Sequence, residues 1–158
     1  MRESAGIVLW RRREGRLEVL LVHPGGPFWA RKDRGAWSIP KGEIGAQETA
    51  EAAAFREFEE ELGVRLVGDA WALAPVRQRG GKRVLGFAVE GDLDPASIRS
   101  NLVHTEWPRG SGRMLEFPEV DRAEWMELAQ ARDRVNPAQV ALLDELADRV
   151  EAHGTDKA

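Results

Sequence analysis

The chain of 158 residues contains no cysteine. That excludes disulfides, thiolate metal sites and a cysteine nucleophile, and it suits a reducing cytoplasm, the compartment expected here. Long apolar runs are missing too. The stretch from Ala5 to Trp10 precedes the basic Arg11-Arg12-Arg13 and is too short for a signal peptide or a membrane span. Histidine is scarce: His23, His104 and His153 are isolated in sequence and read as ordinary surface or core residues. There is no internal repeat and no low-complexity linker. The net charge of −4 argues against strong nonspecific nucleic-acid binding. What remains is one domain, residues 1–153, with a frayed tail expected over 154–158. Six tryptophans would offer a homodimer face wherever they are exposed.

The segments Ser4 to Arg12 and Arg16 to His23 are rich in Val, Leu, Ile and Trp, and Glu14-Gly15 between them predicts an antiparallel hairpin. Pro24-Gly25-Gly26-Pro27 breaks regular structure, and Phe28 and Trp29 follow in a loop. Trp37-Ser38-Ile39 reads as a short extended piece ending at Pro40. A helix is predicted from about Thr49, a plausible N-cap, to Leu62, with Gly63 past its end. Residues 71–79 and 82–90 read as strands around Gly80-Gly81. Leu102 to Thr105 and Ala123 to Met126 read as strands, and 107–113 as a loop. Asn136-Pro137-Ala138-Gln139 opens a last helix running to about His153. Strands, helix, strands, helix indicate an α+β fold rather than a wound parallel sheet.

Against this background, Arg56-Glu57-Phe58-Glu59-Glu60-Glu61 places four carboxylates within five residues. On a helix Glu57, Glu60 and Glu61 share one side. Like charges at that spacing repel, and the C-terminal end of a helix disfavours anions. A bound cation would offset both costs, and oxygen ligands without sulfur suit Mg2+ or Mn2+. For three glutamates alone a solvated acidic face is the better account, so the surrounding positions decide. Phe55, Phe58 and Leu62 form a separate stripe expected to pack on a sheet. Ala50, Ala53 and Ala54, near the acidic edge, serve close packing or close ligand approach, or else simple helix propensity.

The surrounding positions run Gly42, five residues, Glu48, seven residues, Arg56-Glu57, apolar Phe58, one residue, Glu60-Glu61, one residue, Gly63 and aliphatic Val64. This resembles the Nudix box at all nine defined positions of its 23 residues. The resemblance implies a mixed β-sheet sandwiched between α-helices, and hydrolysis of a diphosphate linked to some group X. It implies metal on Glu57, Glu60 and Glu61, with Glu57 as ligand or base. A backbone carbonyl at Lys41 or Gly42 would complete the metal site. Arg56 would orient the glutamates, and Glu48 would be a structural partner. Many members take a base from a later loop, where Glu116 and Glu119 are the candidates and Glu119 is favoured.

Trp37-Ser38-Ile39-Pro40-Lys41-Gly42 resembles the branch acting on diadenosine or diphosphoinositol polyphosphates. A dinucleoside polyphosphate such as diadenosine tetraphosphate is therefore the expected substrate. An RNA 5′ end or a damaged nucleoside triphosphate is the alternative, and a non-catalytic nucleotide sensor is the reading from another class. Lys41 would neutralise a phosphate. Trp37 would stack on substrate or pack in the core, and Phe28 and Trp29 would sandwich a base or seal the core. Arg77 and Arg83, with Arg79, Lys82, Arg109 and Arg113, would bind a polyphosphate if they face the metal site, and otherwise supply solubility.

Overall fold

The computed structural model describes residues 2–155. Strand β1 (Glu3–Arg13) turns through Glu14 and Gly15, both at positive φ, into β2 (Arg16–Pro24). Two residues at positive φ define the turn that matches strand twist. A short β3 (Lys41–Glu43) pairs antiparallel with β1. Helix α1 (Ala50–Leu62) follows, then β4 (Ala70–Ala72), β5 (Val76–Arg77), β6 (Arg83–Glu90), β7 (Leu102–Glu106), β8 (Met114–Pro118), β9 (Val120–Glu127), α2 (Leu128–Arg134) and α3 (Val140–Thr155). The main sheet runs β4-β6-β1-β2-β9, with β3 added on β1 and β5 on β6. Strands β1 and β6 are parallel and the other pairs antiparallel, so the sheet is mixed. Strands β7 and β8 form a separate two-stranded ribbon.

The unbroken apolar runs of β1 and β2 have a plain cause: both faces of the sheet are covered. Ile7, Leu9, Leu20 and Val22 pack with Phe58 and Leu62 of α1. Their neighbours Val8, Trp10, Val19 and Leu21 pack on the opposite face with Leu142, Leu143 and Leu146 of α3. This is the expected α+β sandwich. Phe58 and Leu62 are fully buried, and each contributes about 1.5–3 kcal/mol by leaving water. Ala53 and Ala54 are fully buried too, so the small residues serve close packing. The Thr49 side chain accepts from the Ala52 N–H, and Gly63 closes α1 at φ 69°.

Several elements differ from the sequence expectation. The strand expected over 71–79 splits into β4 and β5 around Pro75, which has no N–H for the ladder. Strand β3 forms after Pro40 because Gly6 leaves room on β1: a Cβ there would meet Pro40 O and the Lys41 Cβ, each at 2.6 Å. The ribbon strand β8 and helix α2 are additional. Gln139, expected at the third position of the last helix as part of its cap, does not reach back to Asn136 with its side chain. Its side chain is buried and accepts from the Ile39 N–H at 3.0 Å, while Asn136 Oδ1 caps Ala138. Trp10 and Trp37 are buried, and the other four tryptophans are partly buried. Of the expected tail, residues 154–155 continue α3 and 156–158 lie outside the described residues. Among the described residues no helix is long and apolar enough to cross a membrane.

Candidate active site

Helix α1 lays its buried stripe on the sheet and thereby turns its acidic edge toward β3. Lys41 donates its backbone N–H to Glu61 Oε2 at 3.2 Å. The segment at Lys41 and Gly42, whose carbonyls the sequence pointed to, thus lies against the carboxylates. Glu61 is only 6% exposed. Burial, then the charges of Glu119 and Glu57, raise its pKa to about 9, and Lys41 offsets this only in part. Burial also raises the pKa of Glu57.

Arg56 organises the rest. It donates Nε to Glu48 Oε2 at 2.7 Å and one η nitrogen to Glu48 Oε1 at 2.9 Å, a forked pair. It also donates to Glu57 Oε1 at 2.9 Å, Glu60 Oε1 at 3.1 Å and the Glu43 carbonyl at 3.1 Å. The guanidinium holds Glu48 down at about pKa 2, and a bond from the Gly45 N–H adds to this. Glu48 is therefore a partner of the arginine at the helix entry. Glu59, on another side of α1, is exposed.

Glu57, Glu60, Glu61 and Lys41 line a cleft of about 490 Å3 together with Lys82 and Glu119. The structure thus brings Glu119, from the junction of β8 and β9, to the box carboxylates. Glu116 goes elsewhere: it is half-exposed on β8 and pairs with His104 at 3.3 Å. Lys41 and Lys82 are close enough to interact, and burial, then the Lys82 charge, lowers the Lys41 pKa. Sequence reasoning did not single out Lys82 from its basic neighbours. The available signal was its place directly after the Gly80-Gly81 turn, where the chain enters β6.

Three expected substrate contacts are not brought to this cleft. Trp37 is 1% exposed and packs in the core on the α3 face, with its indole N–H on Asp33 Oδ1 at 2.8 Å. It cannot stack on a ligand. Arg83 pairs with Glu3 at 3.1 Å, and Arg77, its partner across β5 and β6, also lies outside the lining of this cleft.

Among the described residues no three His, Asp or Glu groups converge at metal-ligand spacing in this arrangement. Arg56 holds Glu57 and Glu60 toward itself. The donor chemistry nevertheless fits a hard divalent ion: every side-chain donor is a carboxylate oxygen, and Glu61 is buried beside two more anions with incomplete compensation.

A second cavity, of about 890 Å3, adjoins the first and shares Pro24 and Glu119 with it. Phe28 and Trp29 line it, so neither is core.

The NUDIX domain family profile matches residues 1–146. The chain belongs to the Nudix family. Among curated proteins it is similar to an RNA pyrophosphohydrolase of Alkalilimnicola ehrlichii, 50% identical over 48 residues, covering 29% of this chain and 26% of that protein. A second RNA pyrophosphohydrolase, from Stutzerimonas stutzeri, is 49% identical over 47 residues, covering 29% of this chain and 30% of that one. The match thus spans less than a third of either relative's length. Among solved structures, the Ap4A hydrolase of C. elegans in a binary complex superposes with a TM-score of 0.65 at 20% identity, covering 96% of this chain and 99% of that one. The NUDIX domain of Shewanella oneidensis NrtR complexed with ADP ribose also gives 0.65, at 17% identity, covering 94% and 87%. These two share the Nudix fold with the chain.

Proposed function

We propose that this Nudix chain is a divalent-metal-dependent hydrolase cleaving a diphosphate linkage in a nucleoside diphosphate joined to X. The observation that carries the reading is one cleft holding two opposite requirements. Mutually repelling carboxylates at Glu57, Glu61 and Glu119, with Glu61 buried and the other two partly so, await a cation, and beside them Lys41 and Lys82 await an anion. A metal-bound polyphosphate satisfies both at once.

In this reading Glu60 and Glu61, with Glu57 and a backbone carbonyl at Lys41 or Gly42, hold Mg2+ or Mn2+. The ion supplies neutralisation of phosphoryl charge and a more acidic water. The chain's own groups do the rest. Lys41 and Lys82 hold phosphoryl oxygens as point charges. Arg56 keeps the glutamates oriented. Glu119 accepts the proton of the attacking water, whose oxygen bonds to phosphorus as the bridging oxygen departs with the other phosphate. A dinucleoside polyphosphate such as diadenosine tetraphosphate is the substrate favoured by Trp37 through Gly42, and a reducing cytoplasm suits a chain without cysteine.

The test is a panel of dinucleoside polyphosphates, nucleoside triphosphates, ADP-sugars and diphosphoinositols, with and without Mg2+ or Mn2+. Metal-dependent cleavage of at least one class, with dinucleotides preferred, is expected. Metal-loaded protein that leaves the whole panel intact would sink the reading. A second substrate, a triphosphorylated RNA 5′ end, is favoured by the short match to RNA pyrophosphohydrolases, and belongs in the same panel. A non-catalytic sensor would bind nucleotide without turnover; retention of every box glutamate speaks against it.

A further inference from the structure

His23 is fully buried near the end of β2, and both of its ring nitrogens face oxygen. Nδ1 stands 3.0 Å from each oxygen of the Asp121 carboxylate, and Nε2 stands 2.7 Å from the Lys32 carbonyl. A backbone carbonyl and an ionised carboxylate only accept hydrogen bonds, whereas a neutral imidazole carries a single donor. Neither neutral tautomer satisfies both contacts. A ring protonated on both nitrogens does.

The two partners belong to different parts of the site. Lys32 lies in the loop that leaves β2 at Pro24, and that loop lines both cavities. Asp121 stands two residues past Glu119 on β9. The Gly25 N–H donates to the Glu119 carbonyl at 2.9 Å, and β2 shifts register against β9 between His23 and Pro24. His23 thus sits where the loop and the segment carrying Glu119 are fastened together. Other charged groups face the ring from the elements around it. Arg122 pairs with Asp121 at 3.5 Å and lies 5.1 Å over the Trp37 ring, which packs beside the imidazole at 5.1 Å between centroids. Asp33 takes the Trp37 indole N–H and a bond from Arg134, and the Lys32 ammonium sits on the Phe28 ring. Among these kinds of group, imidazole is the one that ordinarily changes charge near neutrality.

We propose that His23 is a pH-sensitive clasp: as an imidazolium it bridges Asp121 and Lys32 and fixes the loop against the Glu119 segment, and as a neutral ring it lets the loop go. The bond to the carboxylate is the stronger of the two, so the last N–H stays on Nδ1 when the ring loses a proton. A bare Nε2 lone pair then faces the Lys32 carbonyl across 2.7 Å, and the loop side gives way. His23 is a positioning residue, since it acts on the site through the loop and β9. The clasp stands on its own geometry, and its effect on turnover rests on the hydrolase reading.

The test is NMR hydrogen exchange of the Lys32 amide, which donates to the Trp29 carbonyl at 2.9 Å. Its protection is read as a ratio to that of the Leu73 amide, bonded to the Gly86 carbonyl at the β4–β6 end of the sheet, so that changes in global stability cancel. From about pH 5 to about pH 9 the wild-type ratio is expected to fall at least about tenfold. His23→Gln carries both donors on one nitrogen, cannot reach both acceptors, and should show the low ratio throughout. Asp121→Asn is the decisive variant and does not depend on the first one folding. Its amide donates to Nδ1, so a neutral ring satisfies both contacts and the ratio should stay high at both ends. A wild-type ratio independent of pH, or an Asp121→Asn ratio that falls like wild type, would overturn the clasp. The KM for diadenosine tetraphosphate should rise about tenfold over the same span in wild type and stay level in Asp121→Asn. A level wild-type KM would overturn the link between clasp and site. Failure to turn over any compound would instead sink the hydrolase reading and leave the exchange result standing.

Discussion

The Glu57 carboxylate lies directly over Gly42, so that a Cβ at Gly42 would stand 2.0 Å from its carboxyl carbon. The first glycine and the first helical glutamate of the box are thus a single steric unit, 15 positions apart in sequence. Glycine is required there for space, not for an unusual backbone conformation. A methyl group would push aside the flexible end of Glu57 rather than the backbone. Gly42→Ala is therefore expected to keep a near-normal melting temperature while losing turnover by roughly a hundredfold, the usual penalty for misplacing a catalytic group by about 1 Å. Steady-state kinetics beside a thermal melt checks this; wild-type turnover with a lowered melting point would reverse the assignment.

The Glu48–Arg56 fork makes a prediction about acid. The folded-state pKa of Glu48, about 2, lies below its ordinary 4.5. A depressed carboxylate stabilises the fold above its unfolded value, and that contribution disappears as pH falls from about 4.5 toward 2. Urea unfolding should show Glu48→Gln less stable than wild type at pH 7, with the gap narrowing by pH 3. A gap independent of pH would mean that packing, not charge, links the two residues.

Much of this arrangement could be read from the residues alone, and the remainder has identifiable physical causes. The helix over 50–62 was legible because its cap, stripe and stop agree: Thr49, Phe58 with Leu62, and Gly63. The box glutamates were legible because their spacing is local. Trp37 was ambiguous because an indole suits either a core or a ligand, and only its burial and its bond to Asp33 decide. Lys82 reaches the cleft through contacts between distant segments, which no periodicity announces, and Glu119 was legible only through the resemblance. The β7–β8 ribbon was half-hidden because residues 114–118 lack a strand pattern of their own in the sequence, although Val103 and Phe117 pair across it.

The two late-loop acids have separate fates, and that separates their expected phenotypes. Glu119 borders both cavities and raises the proton affinity of Glu57 and Glu61. Glu116 faces His104 on the exposed ribbon. Glu119→Gln is expected to lower kcat by roughly 100-fold or more, the range for loss of a general base. Glu116→Gln should remain within about twofold, as for an exposed ion pair. A large loss in Glu116→Gln with Glu119→Gln intact would exchange the two roles.

Glu61 yields a prediction that couples pH, metal and stability. Its folded-state pKa of about 9 lies above its ordinary 4.5. A raised value means that the folded protein holds a proton the unfolded chain releases. The associated stability is complete below about pH 4.5 and is lost as pH climbs through about 9. Metal-free protein should therefore weaken steadily from pH 5 to 9 in urea unfolding. A divalent ion should offset that loss, because it replaces the proton on the same oxygens. Binding of Mg2+ or Mn2+ at pH 7 should accordingly release close to one proton, measurable by calorimetry in two buffers of different ionisation enthalpy. Glu61→Gln removes the titration. It should flatten the pH dependence of metal-free stability, abolish the proton release and lower turnover by orders of magnitude. If the variant still releases a proton on binding metal, another group holds it, and Glu61 is not the ligand whose charge the ion compensates.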